Sequence, residues 1–170
     1  IILSTGAVLS RNLKKVIEDT AHIVELYSLP ELEACTARQL ITEHMDEDKI
    51  MVIKKDRADI LDLTTGLGSS RFIDEAIDDD TDYVYIPGAF TNSVIADINP
   101  AKLKRVNFVL KDPTKIFINQ MDFGQLRKKK FKVSVMKNIE VAAVTVNPIA
   151  PSGYSFDHQV LRDAMQKALP

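Results

Sequence analysis

Polar residues that could bind a ligand follow several apolar, strand-like segments of this chain. The longest such loop, residues 147–157, carries amide, hydroxyl, phenol and carboxylate side chains. Two prolines stiffen its backbone, and Gly153 permits conformations that other residues rarely adopt. The loop can therefore hold its polar groups in fixed directions, and we predict that Asp157 caps the following helix. The predicted ligand contacts in this loop are Asn147, Ser152 and Tyr154.

Two shorter loops share one local pattern. The segments LSTGAVLS and YIPGAFTNS each place Gly-Ala directly after a strand-like run, followed by a hydroxyl residue at a helix start. Backbone N–H groups and the dipole at such a helix start attract phosphate or carboxylate. The structural alternative is a tight turn followed by an ordinary cap. The predicted anion contacts are Ser4, Thr5, Gly6, Gly88, Ala89, Thr91 and Asn92.

Asp112 is the best isolated carboxylate for acid–base chemistry or Mg²⁺ binding. It precedes Pro113 at the end of the apolar run RVNFVL, where a strand is expected to finish. An aspartate before a proline also forms turns through its own side chain, and that structural role is the alternative.

Several patterns with known chemistry are missing from the sequence. TTGLGSSR resembles a dinucleotide fingerprint, but Arg71 stands at the third glycine position, and the ending of a phosphate-binding P-loop is absent. The three histidines are scattered, and Cys35 has no cysteine partner for a zinc site. We therefore predict neither a metal nor a cofactor.

Composition limits the possible partners and the compartment. The chain has 170 residues with 45% hydrophobic and 27% charged content and a formal net charge of -2. That charge gives no general attraction to nucleic acid or anionic membrane. The basic run Arg127 to Lys130 favours a solvated helix face, with an acidic partner as the alternative. A single cysteine cannot form an internal disulfide, which favours a cytoplasmic location.

Strand-like and helical patterns alternate along the chain, although Arg57 to Leu63 fits either pattern. The unbroken apolar run Val141 to Val146 predicts a strand buried on both faces of a sheet. We predict a single α/β domain over residues 1–170, a three-layer sandwich with a mostly parallel sheet of about five or six strands. Because the chain begins at Ile1 inside a strand-like run, we expect trimmed residues or a fragment of a longer protein.

Three segments also resemble a known family. STGAVLS, VYIPGAFT and AVTVNPIAPSGYSFD are similar to the carboxy-terminal part of bacterial accessory proteins encoded beside vitamin B12-dependent amino-acid aminomutases. Members of that family are proposed to act in reactivation. The resemblance implies an upstream nucleotide-handling domain and assigns no catalytic residue to this chain.

Three functions are consistent with these features. The first is an accessory or regulatory domain that binds a small anionic ligand or a protein partner at the loops after its strands. We expect the four loops after the strands at Ile1, Tyr83, Val106 and Val141 to meet at one edge of the sheet. The second is a phosphoryl- or acyl-transfer or hydrolytic enzyme that uses Asp112 and the loop from Asn147 to Ser155. The third is an oligomerisation or interaction domain, in which homo-oligomers are possible.

Overall fold

The computed structural model describes residues 2–5, 12–62 and 68–169. The chain divides into two compact units, a terminal unit (Ile1–Ser28 with Ile139–Pro170) and a central unit (Leu29–Asn138). In chain order the elements are β1 (Ile2–Thr5), α1 (Leu13–Tyr27), α2 (Cys35–Glu43), β2 (Ile50–Lys54), β3 (Ala58–Leu61), α3 (Ser69–Ala76), β4 (Thr81–Ile86), α4 (Asn92–Ile95), α5 (Pro100–Arg105), β5 (Asn107–Leu110), α6 (Gln120–Lys128), β6 (Lys132–Val135), β7 (Ala143–Val146) and α7 (His158–Ala168). Short 3₁₀ turns lie at Met45–Glu47 and Pro113–Lys115.

The terminal unit pairs its two strands and its two long helices. β1 and β7 are parallel, with Thr5 opposite Val146. α1 contacts α7, and the Asn12 side chain caps α1 by accepting a bond from the Lys15 N–H at 3.1 Å. Ser10, which the sequence favoured as this cap, lies outside the described residues. The buried core of the unit is Phe156, Leu161 and Met165.

The prediction of a central strand at residues 141–146 is wrong. Val144 and Val146 are half-buried and pack against the terminal core, whereas Ala143 and Thr145 are exposed. Among the described strands, β7 pairs with β1 alone. A continuous apolar run therefore does not require burial on both faces when one face consists of residues as small as alanine and threonine.

The central unit contains a five-stranded sheet in the order β3-β2-β4-β5-β6. This confirms a mixed α/β fold, but the expectation of a mostly parallel sheet is wrong. β4, β5 and β6 are parallel, whereas β2 is antiparallel to both β3 and β4. The three residues 55–57 between β2 and β3 are too few for the crossover that parallel pairing requires, so the two strands form a hairpin.

Apolar side chains fill both faces of the central sheet. On one face, Met51, Ile53, Tyr85 and Val109 belong to a core that includes Ile41 of α2. Phe108 alternates with Val109 along β5 and therefore points to the opposite face. There it lies 5.2 Å from Phe131 and 6.1 Å from Phe90, measured between ring centroids.

A charged network fixes one edge of this sheet, where β2 ends and β4 begins. The Lys54 side chain is 6% exposed, and its ammonium lies 2.6 Å from Asp59 and 2.7 Å from Asp78. The hydrogen bond from Lys54, assisted by the Thr81 hydroxyl and the Lys54 charge, lowers the pKa of Asp78 to about 2. Arg105 joins the network by donating to the carbonyl of Thr81 at 3.0 Å. The acidic run at 78–80 thus anchors the sheet.

We expect Lys54→Met to lower the melting temperature at pH 7 by several degrees, because it leaves Asp59 and Asp78 without their shared cation. The folded pKa of Asp78 lies below its ordinary value of 3.8. Its contribution to stability is therefore present above about pH 4 and lost as the pH falls toward about 2. Thermal unfolding across this range should show the difference between the variant and the parent shrinking.

Lys55→Met is the matched control, because its partner Asp80 forms an ion pair exposed on both sides. Exposed pairs contribute little, so this variant should melt close to the parent. Equal losses for both substitutions, or a Lys54 effect that persists at pH 2, would contradict the anchoring role.

Candidate functional site

Three parallel strands end together at one edge of the central sheet. Ile86 pairs with Leu110 and Leu110 with Val135, so the loops after β4, β5 and β6 start side by side. We call these loops, residues 87–93, 111–115 and 136–138, the carboxyl edge. Ligands of open α/β sheets bind at such edges. The structure brings five of the predicted contacts to this edge: Gly88, Ala89, Thr91, Asn92 and Asp112.

Backbone hydrogen bonds hold the first two loops against each other. The N–H of Phe90 donates to the carbonyl of Lys115 at 2.7 Å, and the N–H of Phe117 donates to the carbonyl of Phe90 at 2.8 Å. Because the Phe90 ring is fully buried, the loop after β4 has a fixed position at this edge.

Amide side chains add a second set of bonds. Asp122 accepts from Asn92 at 2.6 Å and from Asn119 at 2.8 Å, which links the start of α4 to the start of α6. The hydroxyls of Thr91 and Ser93 lie 2.7 Å apart and are half-buried. Asn92 thus positions the loop, and the hydroxyls of Thr91 and Ser93 belong to partly exposed residues at the same edge.

The Asp112 carboxylate is hydrogen-bonded within its own turn. Its carboxylate accepts from the N–H of Thr114 at 2.8 Å and also from the Thr114 hydroxyl. These bonds cap the 3₁₀ turn Pro113–Lys115. The turn-forming role considered from the sequence is therefore observed.

Three of the lysines at the carboxyl edge have no ion-pair partner among the described residues, although Asp112 lies in the same loop as two of them. Within the described ranges, the ammonium groups of Lys111, Lys115 and Lys137 form no ion pair. The Lys137 N–H donates to the carbonyl of Lys111 at 3.0 Å, so the two loops that carry these lysines lie next to each other. Lys49 at the same edge lies 3.9 Å from Asp62. The cations around the other end of β4 differ, because each is bound to an aspartate: Lys54, Lys55 and Lys102.

Tyr85 is a feature that sequence reasoning missed. The side chain is fully buried near the end of β4, and its hydroxyl has no hydrogen-bond partner in the part of the chain that the structure describes. Burial raises the pKa of Tyr85 to about 12, and the charges of Asp48, Asp112 and Asp46 add to the increase. Among the described residues, no group of three or more histidine, cysteine, aspartate or glutamate side chains is arranged to hold a metal ion. The alternation in DYVYI could have predicted that Tyr85 faces inward. It could not have predicted that the Tyr85 hydroxyl lacks a hydrogen-bond partner.

The remaining predicted contacts belong to the terminal unit. Ser4 pairs with Thr145 at the ends of β1 and β7, and Gly6 lies outside the described residues. Because β1 and β7 form their own sheet, the four predicted loops do not share the edge of one sheet. This part of the prediction is wrong.

Local bonds define the long loop after β7. The Ala150 N–H donates to the carbonyl of Tyr154 at 2.8 Å, and Asn147 accepts from the N–H of Ile149 at 2.9 Å. Ser152 lies exposed between them. Asp157 accepts from the first N–H groups of α7, which confirms its predicted capping role. A ligand role for Asn147, Ser152 and Tyr154 stays a prediction.

Comparisons of the chain with protein-family models, with curated proteins and with solved structures gave no significant match. The resemblance to aminomutase accessory proteins therefore stays a prediction. Among the described helices, none combines the length and the apolar character that crossing a membrane requires.

We expect Tyr85→Phe to raise the free energy of unfolding by about 1 kcal/mol, because a buried hydroxyl without a partner opposes folding. Chemical denaturation of the variant and the parent measures the difference. Tyr83→Phe, on the same strand and half-buried, is the control and should change stability less. A loss of stability in Tyr85→Phe would show that the hydroxyl does have a partner.

Proposed function

We propose that the central unit is a binding domain that takes a small anionic ligand at its carboxyl edge. The observation that carries this proposal is the set of unpaired cations there, Lys111, Lys115 and Lys137. Neighbouring like charges repel each other, and an anion placed among them removes that repulsion. The half-buried hydroxyls of Thr91 and Ser93 add hydrogen-bond donors.

The fixed backbone of the edge supports this role. Phe90 binds the loop after β4 to the loop after β5 through two backbone bonds. Asn92 binds the same loop to Asp122. A ligand that enters such a site meets groups already held in place, and less free energy is spent on ordering them.

We propose that the carboxyl edge binds its ligand and catalyses no reaction. Asp112, the carboxylate favoured for acid–base work, is held by Thr114 within its own turn. A domain that binds an anion and carries out no reaction fits an accessory or regulatory protein.

We expect Lys111→Gln/Lys137→Gln to weaken the binding of inorganic phosphate at least tenfold, because two of the three attracting charges are lost. Isothermal titration calorimetry of the full chain at low ionic strength measures the affinity. The matched control is Lys15→Gln/Lys167→Gln, which removes two exposed charges from the terminal unit. The proposal fails if both double variants bind phosphate as the parent does, or if the parent binds none at millimolar concentrations.

A further inference from the structure

Charge is distributed unevenly along the central unit. Residues 102–137 carry 11 Lys or Arg against two Asp, whereas residues 43–82 carry 13 Asp or Glu against five Lys or Arg. The first segment forms α5, β5, α6 and β6, and the second includes β2 and β3. β6 is one edge strand of the sheet, so the basic segment covers the β5 and β6 side, whereas the acidic segment extends from the other edge strand, β3, to the start of the middle strand, β4.

The basic charges are densest where α6 turns into β6. Lys128, Lys129, Lys130 and Lys132 are all exposed. None of the four has an ion pair within residues 2–5, 12–62 or 68–169. We call these four residues the basic turn. α5, which contacts β6, adds the exposed Lys104 nearby.

The geometry of this turn is well defined. The Lys130 N–H donates to the carbonyl of Arg127 at 2.9 Å, and the Phe131 N–H donates to the carbonyl of Leu126 at 3.0 Å. These two bonds form the Schellman motif that ends many helices. The Phe131 ring then stacks on Phe90 at 5.8 Å, which anchors the turn to the aromatic core.

Lys130 occupies the position in this motif where glycine is preferred. Its φ is 63°, a left-handed conformation that side chains with a Cβ adopt at a cost in stability. A lysine at this position is therefore unfavourable for the fold, and its positive charge adds repulsion to its neighbours. An unfavourable conformation at an exposed residue is a reason to look for a function.

From these observations we infer that the basic turn binds an acidic segment of a partner protein. Exposed ammonium groups on a rigid turn suit carboxylates carried by a flexible chain. Nucleic acid is a poorer fit, because single strands stack their bases on aromatic rings and the nearest ring, Phe131, is buried. The surface is separate from the phosphate site, since β6 begins at the basic turn and ends at the carboxyl edge.

Lys130→Gly removes both the unfavourable conformation and the positive charge of this residue, and each loss has its own measurable effect. Glycine accepts the left-handed conformation, so we expect the melting temperature to rise by about 2–4 °C. The lost charge should weaken binding of a fluorescein-labelled 12-residue peptide of alternating Glu and Ala about threefold or more. Fluorescence anisotropy at 50 mM salt measures this, and binding should decline as salt is added.

Two variants serve as controls. Asp48 is the other described residue besides glycine with a positive φ, 49°. Asp48→Gly relieves a similar conformation without removing a positive charge, so it should not weaken peptide binding. The second control, Lys14→Gln/Lys15→Gln in α1, should leave peptide binding nearly unchanged. The test variant Lys128→Gln/Lys129→Gln should weaken peptide binding about tenfold.

Three results would overturn the inference. Equal binding of the same peptide with Gln in place of Glu would show that carboxylates are not recognised. Tighter binding of a 12-residue uridine RNA would assign the surface to nucleic acid. Unchanged peptide affinity in both Lys130→Gly and Lys128→Gln/Lys129→Gln would place binding elsewhere. At constant ionic strength, saturating inorganic phosphate should not displace the peptide, so this test and that of the carboxyl edge can fail separately.

Discussion

The parallel hydrogen-bonded register of β4, β5 and β6 is the constraint on which the rest of the central unit depends. Because Ile86, Leu110 and Val135 end in line, three loops from distant parts of the sequence meet at one edge. The same register gathers the opposite ends of the strands, where Lys54 and Arg105 connect to the acidic run at 78–80. One pairing pattern thus creates two edges with different electrostatics.

We connect the lysines that form ion pairs with the fold, and the lysines without ion pairs with binding. Lys54 contacts two aspartates, and its loss would leave them facing each other at the edge of the sheet. Lys111 and Lys137 lie in the adjacent loops after β5 and β6, and neither forms an ion pair with a described carboxylate. Charges that the fold needs are compensated within the described structure. The uncompensated charges contribute nothing evident to folding, which is why we connect them with ligands and partners.

The sequence predicted part of this structure. The apolar runs at Tyr83 and Val106 predicted the strands β4 and β5. The Gly, Thr and Asn residues after the first run predicted one loop of the carboxyl edge. The pattern failed at β7, where an alanine and a threonine in an apolar run face solvent. It also did not resolve the β2–β3 hairpin, since residues 57–63 fit helix and strand equally well. The missing partner of Tyr85 and the pairing of each lysine depend on tertiary contacts, which no local pattern encodes.

We propose that the carboxyl edge of the central sheet binds anions. The most direct test of this proposal is a titration of ¹⁵N-labelled chain with inorganic phosphate, followed by the chemical shifts of backbone amides. We expect the largest changes in the backbone amides of residues 88–93, 111–115 and 136–138. Changes concentrated instead on the loop at 147–157, or spread evenly over exposed lysines such as Lys15 and Lys167, would contradict it.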